Sequence, residues 1–250
     1  MNDILTERSG NILSIQLNRP AKKNAMTSSM YITMAELLNG AAKDDQIRVV
    51  LWHAAGNSFS AGNDIEDFMK NPPAPGESPQ AQLIHALINF KKPLVAAVQG
   101  AAIGGGTTML AHCDFVYAGE SAKFQMPFVN LALVPEFGSS YLLPLRFGYI
   151  RAAELILLGK PFDASRAAEL GLVTQVVPDQ SLLATATETA RILAAKPAAA
   201  VQAAKRLMKR AIREQLEQAV NLENEVFAER VRSDEAKQAF LAFFASHKPA

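Results

Sequence analysis

The run Gly100-Ala101-Ala102-Ile103-Gly104-Gly105-Gly106-Thr107-Thr108 constrains this chain more than any other stretch. It follows the apolar segment Leu94 to Val98 and leads into Met109-Leu110-Ala111, an order that reads as strand, glycine turn and helix start. Successive glycines at the mouth of a helix leave its first backbone N–H groups unshielded. Those groups, with the positive end of the helix dipole, favour a negative oxygen. Spacing excludes two familiar occupants. A dinucleotide fingerprint needs glycine at the first, third and sixth positions, but counted from Gly104 the sixth residue is Met109. A phosphate-cradling P-loop needs Lys and then Ser or Thr after its second glycine, whereas Gly105 is followed by Gly106 and Thr107. Two readings stay open: an oxyanion formed during a reaction, or close packing of helix on strand.

Strands and helices alternate around this stretch. Ile4 to Glu7 and Ile12 to Leu17 flank Ser9-Gly10-Asn11, a hairpin turn. Thr27 or Ser28 caps a helix whose apolar positions Met30, Met34, Leu37, Leu38 and Ala41 recur at helical spacing. Val49 to Trp52 is apolar without alternation, as in a strand covered on both faces. Phe59 to Ile65 is a small-residue turn, Asn71 to Gly76 an exposed proline-rich loop, Ser78 to Phe90 a helix and Asp114 to Tyr117 a short strand. The glycine turn runs into a helix ending at about His112. After about Leu143 the pattern is helical: Arg151 to Leu158, Ala164 to Leu170, Leu182 to Ala195, Ala198 to Ala211, Asn221 to Arg232 and Glu235 to Ala245. The expected class is α/β, with a core over residues 1–195 and a helical region over 196–250.

Charge narrows the partners. A formal net charge of +1 gives no reason to expect nucleic acid or acidic membranes. The densest basic cluster is Lys205, Arg206, Lys209, Arg210 and Arg213. Glu214 and Glu217 follow it and no aromatic residues interleave, so it reads as a solvated helix face that can attract a phosphorylated cofactor. The single cysteine, Cys113, suits a reducing compartment. Asp3, Glu7 and Arg8 precede any apolar run, so no signal peptide is expected. Apolar runs are too short to span a membrane, and His247-Lys248-Pro249-Ala250 is not a peroxisomal address; the cytoplasm is the expected location. His112-Cys113-Asp114 are consecutive, so their side chains diverge and no metal site is expected. His53, His85 and His247 are expected in core or surface roles.

Four stretches together resemble the enoyl-CoA hydratase/isomerase (crotonase) family. They are Asn18-Arg19-Pro20 with Asn24-Ala25, Phe59-Ser60-Ala61-Gly62-Asn63-Asp64-Ile65, the glycine run, and Leu158-Gly159-Lys160-Pro161-Phe162 through Ala167-Leu170-Gly171-Leu172-Val173. They cover nearly the whole chain in order. The resemblance implies a spiral of ββα units with a C-terminal helical trimerisation region, assembled as a homotrimer or a dimer of trimers. It also implies an acyl-CoA substrate, with coenzyme A entering as part of that substrate and no further cofactor. The thioester oxygen would lie between the backbone N–H groups of Asn63 and Gly105. Since the donors are main-chain, the side chain at Asn63 is free to vary on this reading. Ala61, Asp64, Ile65, Thr108 and Phe128 are expected around substrate and CoA, although Asp64 also suits a turn and helix cap. The stretch from Met69 to Gly76 is a candidate for the acyl pocket or its lid, and Phe240, Phe243 and Lys248 for a tail closing over CoA.

Hydratases of this family hold their attacking water with two glutamates, and the matching positions here are Thr108 and Phe128. Neither is a carboxylate. Val134-Pro135-Glu136-Phe137-Gly138-Ser139-Ser140 instead resembles the Pro-Glu segment of Δ3,Δ2-enoyl-CoA isomerases, in which the glutamate is the base. The expected activity is therefore an isomerase with Glu136 shuttling a proton from C2 to C4. Hydration or another crotonase reaction is the alternative, and an inactive acyl-CoA-binding protein the second. Glu136 has apolar neighbours in sequence, so partial burial is expected to make it a better base. A plainer role is also open to it, support of a helix starting at Ser139.

Overall fold

Short apolar strands and tight turns divide the chain between two sheets in the computed structural model, which describes residues 2–72 and 78–246. Strands β1 (Ile4–Ser9) and β2 (Ile12–Leu17) form an antiparallel hairpin, turned where expected. Helix α1 (Ser28–Lys43) follows, and of the two candidate caps it is the Thr27 hydroxyl that accepts the Met30 N–H. Strand β3 (Val49–Ala54) lies parallel to β2. Next come α2 (Ile65–Lys70), α3 (Pro79–Asn89) and β4 (Leu94–Val98), which pairs in parallel with β3.

The glycine run then does something its composition hides. Ala101–Ile103 forms a short strand, β5, and helix α4 covers only Gly105–Thr108 before the chain tightens into a 3-10 turn over Met109–His112. Strands β6 (Phe115–Gly119) and β7 (Lys123–Gln125), helices α5 (Ser139–Phe147) and α6 (Tyr149–Leu158), β8 (Phe162–Asp163), α7 (Ala164–Glu169) and β9 (Gln175–Val177) follow. The chain continues through α8 (Leu182–Ala194), α9 (Ala198–Lys209), α10 (Arg213–Arg230) and α11 (Asp234–Ser246). The larger sheet has the order β1-β2-β3-β4-β6-β9 and the smaller β5-β7-β8. Twice, at β4-β5 and at β6-β7, one strand joins the large sheet and its successor the small one, the repeat expected of a ββα spiral.

Burial explains the strand at 49–54. Val50 and Trp52 enter the main core, while Val49 and Leu51 pack on the opposite face with Ala186 and Ala190 of α8. Both faces are covered, so alternation has no work to do. One helix start differs from expectation. Helix α10 begins at Arg213, not Asn221, because a polar exposed stretch continues a helix whose buried positions are sparse: Leu216, Val220, Glu223, Phe227 and Ala228. Strands β7, β8 and β9 are two or three residues long, too short for periodicity to register.

Candidate active site

Two loops meet at the head of α4. The Ser60 N–H donates to the Ala101 carbonyl at 2.9 Å and the Ile103 N–H to the Ser60 carbonyl at 2.9 Å, stitching the Phe59–Asp64 turn along β5. Only glycine fits at position 62. Its φ is +85°, and a Cβ there would stand 2.7 Å from the Ile103 carbonyl oxygen. The contact brings Asn63 beside Gly105. Neither the Asn63 nor the Gly105 N–H donates to an acceptor among the described residues. Both residues line one cavity of about 90 Å³. Its other walls include Ala61, Ile65, Phe68, Ile103, Phe128 and Leu131, with Phe240 and Phe243 from α11. Apolar walls with two free amides exclude water and leave little to compete for an oxygen placed between them.

Glu136 directly contacts the lining residues Asn63 and Gly105 and is not itself one of the lining residues. It is 4% exposed. Its Oε1 accepts a hydrogen bond of 3.0 Å from the Asn63 amide Nδ2, and a Cβ on Gly105 would lie 2.7 Å from the same oxygen. The Tyr31 hydroxyl donates to the Asn63 Oδ1, which fixes the amide so that its NH2 faces Glu136. Burial pushes the Glu136 carboxyl up to about 8; the Asn63 hydrogen bond opposes this and the charge of Glu223 adds to it. Burial also raises the Tyr31 phenol. The expected partial burial of Glu136 is thus near complete. The plainer role is not what its side chain does: toward α5 Glu136 contributes only its main-chain carbonyl, which accepts the Ser139 N–H at 3.2 Å.

The other expected residues divide. Ala61, Ile65 and Phe128 line the cavity, and so do Phe240 and Phe243. Asp64 and Thr108 do not. One Asp64 oxygen caps α2 by accepting the Asp67 N–H at 3.2 Å, and the other pairs with Arg19 at 2.6 Å. The Thr108 hydroxyl turns back to the Gly104 carbonyl at 3.3 Å, as a helical threonine does when no ligand claims it. Met69 is half exposed and also outside the lining. Residues 73–76 of the expected lid, His247 and Lys248 lie outside the described residues.

The basic cluster is not a uniformly solvated face. Lys205 is buried, pairs with Asp114 at 2.6 Å and donates to the Lys92 carbonyl at 2.7 Å. Lys209 reaches the His112 carbonyl at 3.4 Å and Arg146 the Ala111 carbonyl at 2.6 Å, so both serve the carbonyl end of the 105–112 helix. Burial, with Lys205 close by, brings the Lys209 ammonium down to about 8. His53 is half buried against the Ser14 hydroxyl, and burial lowers its pKa. Among the described residues no group of three or more His, Cys, Asp or Glu could hold a metal, and no helix is long and apolar enough to cross a membrane.

Four residues of this site carry no local signal: the Asn63 side chain, Tyr31, His112 and Glu223. Asn63 and Glu136 are 73 positions apart, and Glu223 is 85 positions from its Gly138 partner. Comparison with known proteins places the whole chain. The family model described as enoyl-CoA hydratase/isomerase matches residues 7–250. The chain is 35% identical to a 1,2-epoxyphenylacetyl-CoA isomerase of Escherichia coli strain K12, over all of this chain and 98% of that one. It is 36% identical to the enoyl-CoA delta isomerase 2 of Rattus norvegicus over 96% of this chain, and spans only 63% of that longer protein. Relatives named as hydratases match over similar lengths. The solved structure of Pseudomonas aeruginosa OdaA superposes with a TM-score of 0.94 at 44% identity, covering 97% of this chain and 99% of that one.

Proposed function

Because the chain belongs to the enoyl-CoA hydratase/isomerase family and has its crotonase-like fold, we propose that it moves the double bond of an enoyl-CoA from the 3- to the 2-position. One observation carries this reading: the buried carboxyl of Glu136 stands against Asn63 and Gly105, which line one cavity and whose N–H groups donate to no acceptor among the described residues. The thioester oxygen is taken by those two N–H groups. Ionised Glu136 removes a proton from C2, and the electron pair spreads from C2 toward the thioester oxygen and C4. Glu136 then returns the proton to C4, leaving the double bond between C2 and C3. Losing one such amide donor costs about 3 kcal/mol, or roughly a hundredfold in rate. A carboxyl raised to about 8 is a strong base for its kind and is still about one-tenth ionised at pH 7.

Hydration is the second reading, favoured by the relatives named as hydratases. It calls for a polar wall to hold water, and Phe128 supplies an aromatic one. Incubation with a 3-enoyl-CoA and, separately, with a 2-enoyl-CoA distinguishes the two. Isomerisation of the first with no hydroxyacyl product from the second is expected; a 3-hydroxyacyl-CoA as main product would reverse the assignment. Binding without turnover of either would leave an acyl-CoA-binding protein. Assembly as a trimer or dimer of trimers belongs to the same proposal, supported by the exposed large apolar side chains Tyr149, Ile150, Leu157 and Leu158 of α6.

A further inference from the structure

The turn that carries Glu136 is held by a residue far along the chain. Phe137 and Gly138 both take left-handed φ values, +64° and +68°. For phenylalanine this is an uncommon conformation that the surroundings must enforce. One restraint is His112, whose Nε2 lies 2.7 Å from the Phe137 carbonyl oxygen. Burial drops its pKa to about 3, so the ring is neutral and the bond requires the proton on Nε2. The other is Glu223 on α10. Its Oε2 accepts the Gly138 N–H at 2.6 Å and its Oε1 the Ser140 N–H at 2.7 Å, and the residue is 6% exposed.

Helix α10 approaches so closely that a Cβ on Gly138 would stand 3.1 Å from Val220 Cγ2. Gly138 is the N-cap of α5 and has no side chain to cap it. A carboxylate from another helix fills that place, two charge-assisted bonds at a helix start. We propose that Glu223 is a positioning residue for the reaction: it fixes the Glu136 turn through Gly138 and Ser140, and its negative charge beside Glu136 keeps that base strong. This rests on Glu136 being the base.

The groups around Glu136 leave Glu223 as the source of that charge. Tyr31 from α1 has its phenol raised well above its ordinary value and stays neutral, Asn63 has no charge, and His112 is neutral at physiological pH. Around Glu223 stand the Gly138 and Ser140 N–H groups and the Ser140 hydroxyl. Burial pushes Glu223 itself up to about 7, against the pull of those hydrogen bonds. Both carboxyls therefore ionise around neutral pH, so Glu223 carries charge over the range in which Glu136 loses its proton.

The test is the pH profile of kcat/KM for conversion of a 3-enoyl-CoA to the 2-enoyl-CoA, measured for the wild type, Glu136→Gln, Glu223→Gln and Glu223→Asp. Glu136→Gln is expected to be inactive; if it turns over, the base assignment itself fails. With Glu136→Gln inactive, Glu223→Gln is expected to move the acid limb to lower pH by about half a unit or more, since a like charge has gone. Glu223→Asp keeps the charge but draws the carboxylate back by one methylene. It is expected to leave the limb in place and lower kcat about tenfold with KM little changed. A carboxylate that served only to stabilise α5 would lower the melting temperature in both variants and move neither the limb nor kcat. An acid limb for Glu223→Gln that coincides with the wild type, or an unchanged kcat for Glu223→Asp should the Gln variant not fold, overturns the inference.

Discussion

Replacing Glu136 by Gln should make the protein more stable, and more so as the pH rises. The ordinary carboxyl value is 4.5 and burial raises Glu136 to about 8. Such a group costs nothing below about pH 4.5, where folded and unfolded chains both hold the proton. Above that the unfolded chain ionises while the folded one does not, and stability falls until the pH passes the folded value. At roughly 1.4 kcal/mol per pH unit, the interval corresponds to about 5 kcal/mol in full, with about 1 kcal/mol lost by pH 5 and about 4 kcal/mol by pH 8. Glutamine cannot ionise and keeps an Oε1 to accept the Asn63 amide at the position of the 3.0 Å bond. Glu223 titrates in both proteins and cancels to first order. Urea unfolding of both proteins at about pH 5 and about pH 8, at matched protein concentration, should show the Gln variant ahead by about 1 and about 4 kcal/mol. An advantage of equal size at both pH values would refute the reasoning, because it would mean that the acid is not held neutral by its surroundings. The gain in stability would come with loss of turnover, the exchange expected where a charge is buried for chemistry.

Asn63→Ala keeps the main-chain N–H but removes the side-chain hydrogen bond that lowers the Glu136 pKa. Its kcat/KM profile should therefore shift to higher pH, opposite to Glu223→Gln, and an unmoved limb would show that the Asn63 amide does not act on the base. Lys205→Met leaves the half-buried Asp114 carboxylate, now paired at 2.6 Å, with only the Leu94 N–H, and should cost about 2 kcal/mol in urea unfolding while KM stays near the wild type. Gly62→Ala sets a Cβ 2.7 Å from the Ile103 carbonyl at a φ of +85°; thermal unfolding should show a loss of stability and steady-state kinetics a kcat lower by tenfold or more, since the Asn63 donor is displaced from Gly105.

How much of this could be seen in the chain differs from element to element. The covered strand at 49–54, the hairpin and the capped helix at 28–43 were legible because their signals are local: a run of apolar residues, a glycine turn, a hydroxyl before a helical repeat. The glycine run pointed to an anion but left packing equally open. Packing is seen at Gly106, where a Cβ would stand 2.9 Å from the Ser60 carbonyl oxygen, while the Gly105 N–H donates to no acceptor among the described residues. What stayed hidden is what joins distant segments. The Asn63 side chain looked dispensable because only its backbone was needed, yet it donates to the Glu136 carboxyl and is itself held by Tyr31. Glu223 sits in a stretch, Asn221 to Arg232, read only as a helix, and the approach of α10 to Gly138 gives it a task. Lys205 belonged by composition to a solvated cluster and is instead buried and ion-paired, because its partner Asp114 lies just before β6, far off in sequence.

The central claim is spatial: two amides hold an oxygen while one carboxyl serves two carbons. A crystal structure with a bound saturated acyl-CoA, which binds but cannot isomerise, tests it most directly. The thioester oxygen should lie about 3 Å from the amide nitrogens of both Asn63 and Gly105, with a Glu136 oxygen within about 4 Å of both C2 and C4. A thioester oxygen away from those amides, or a water held by Glu136 over C3 with C4 out of reach, would contradict the account.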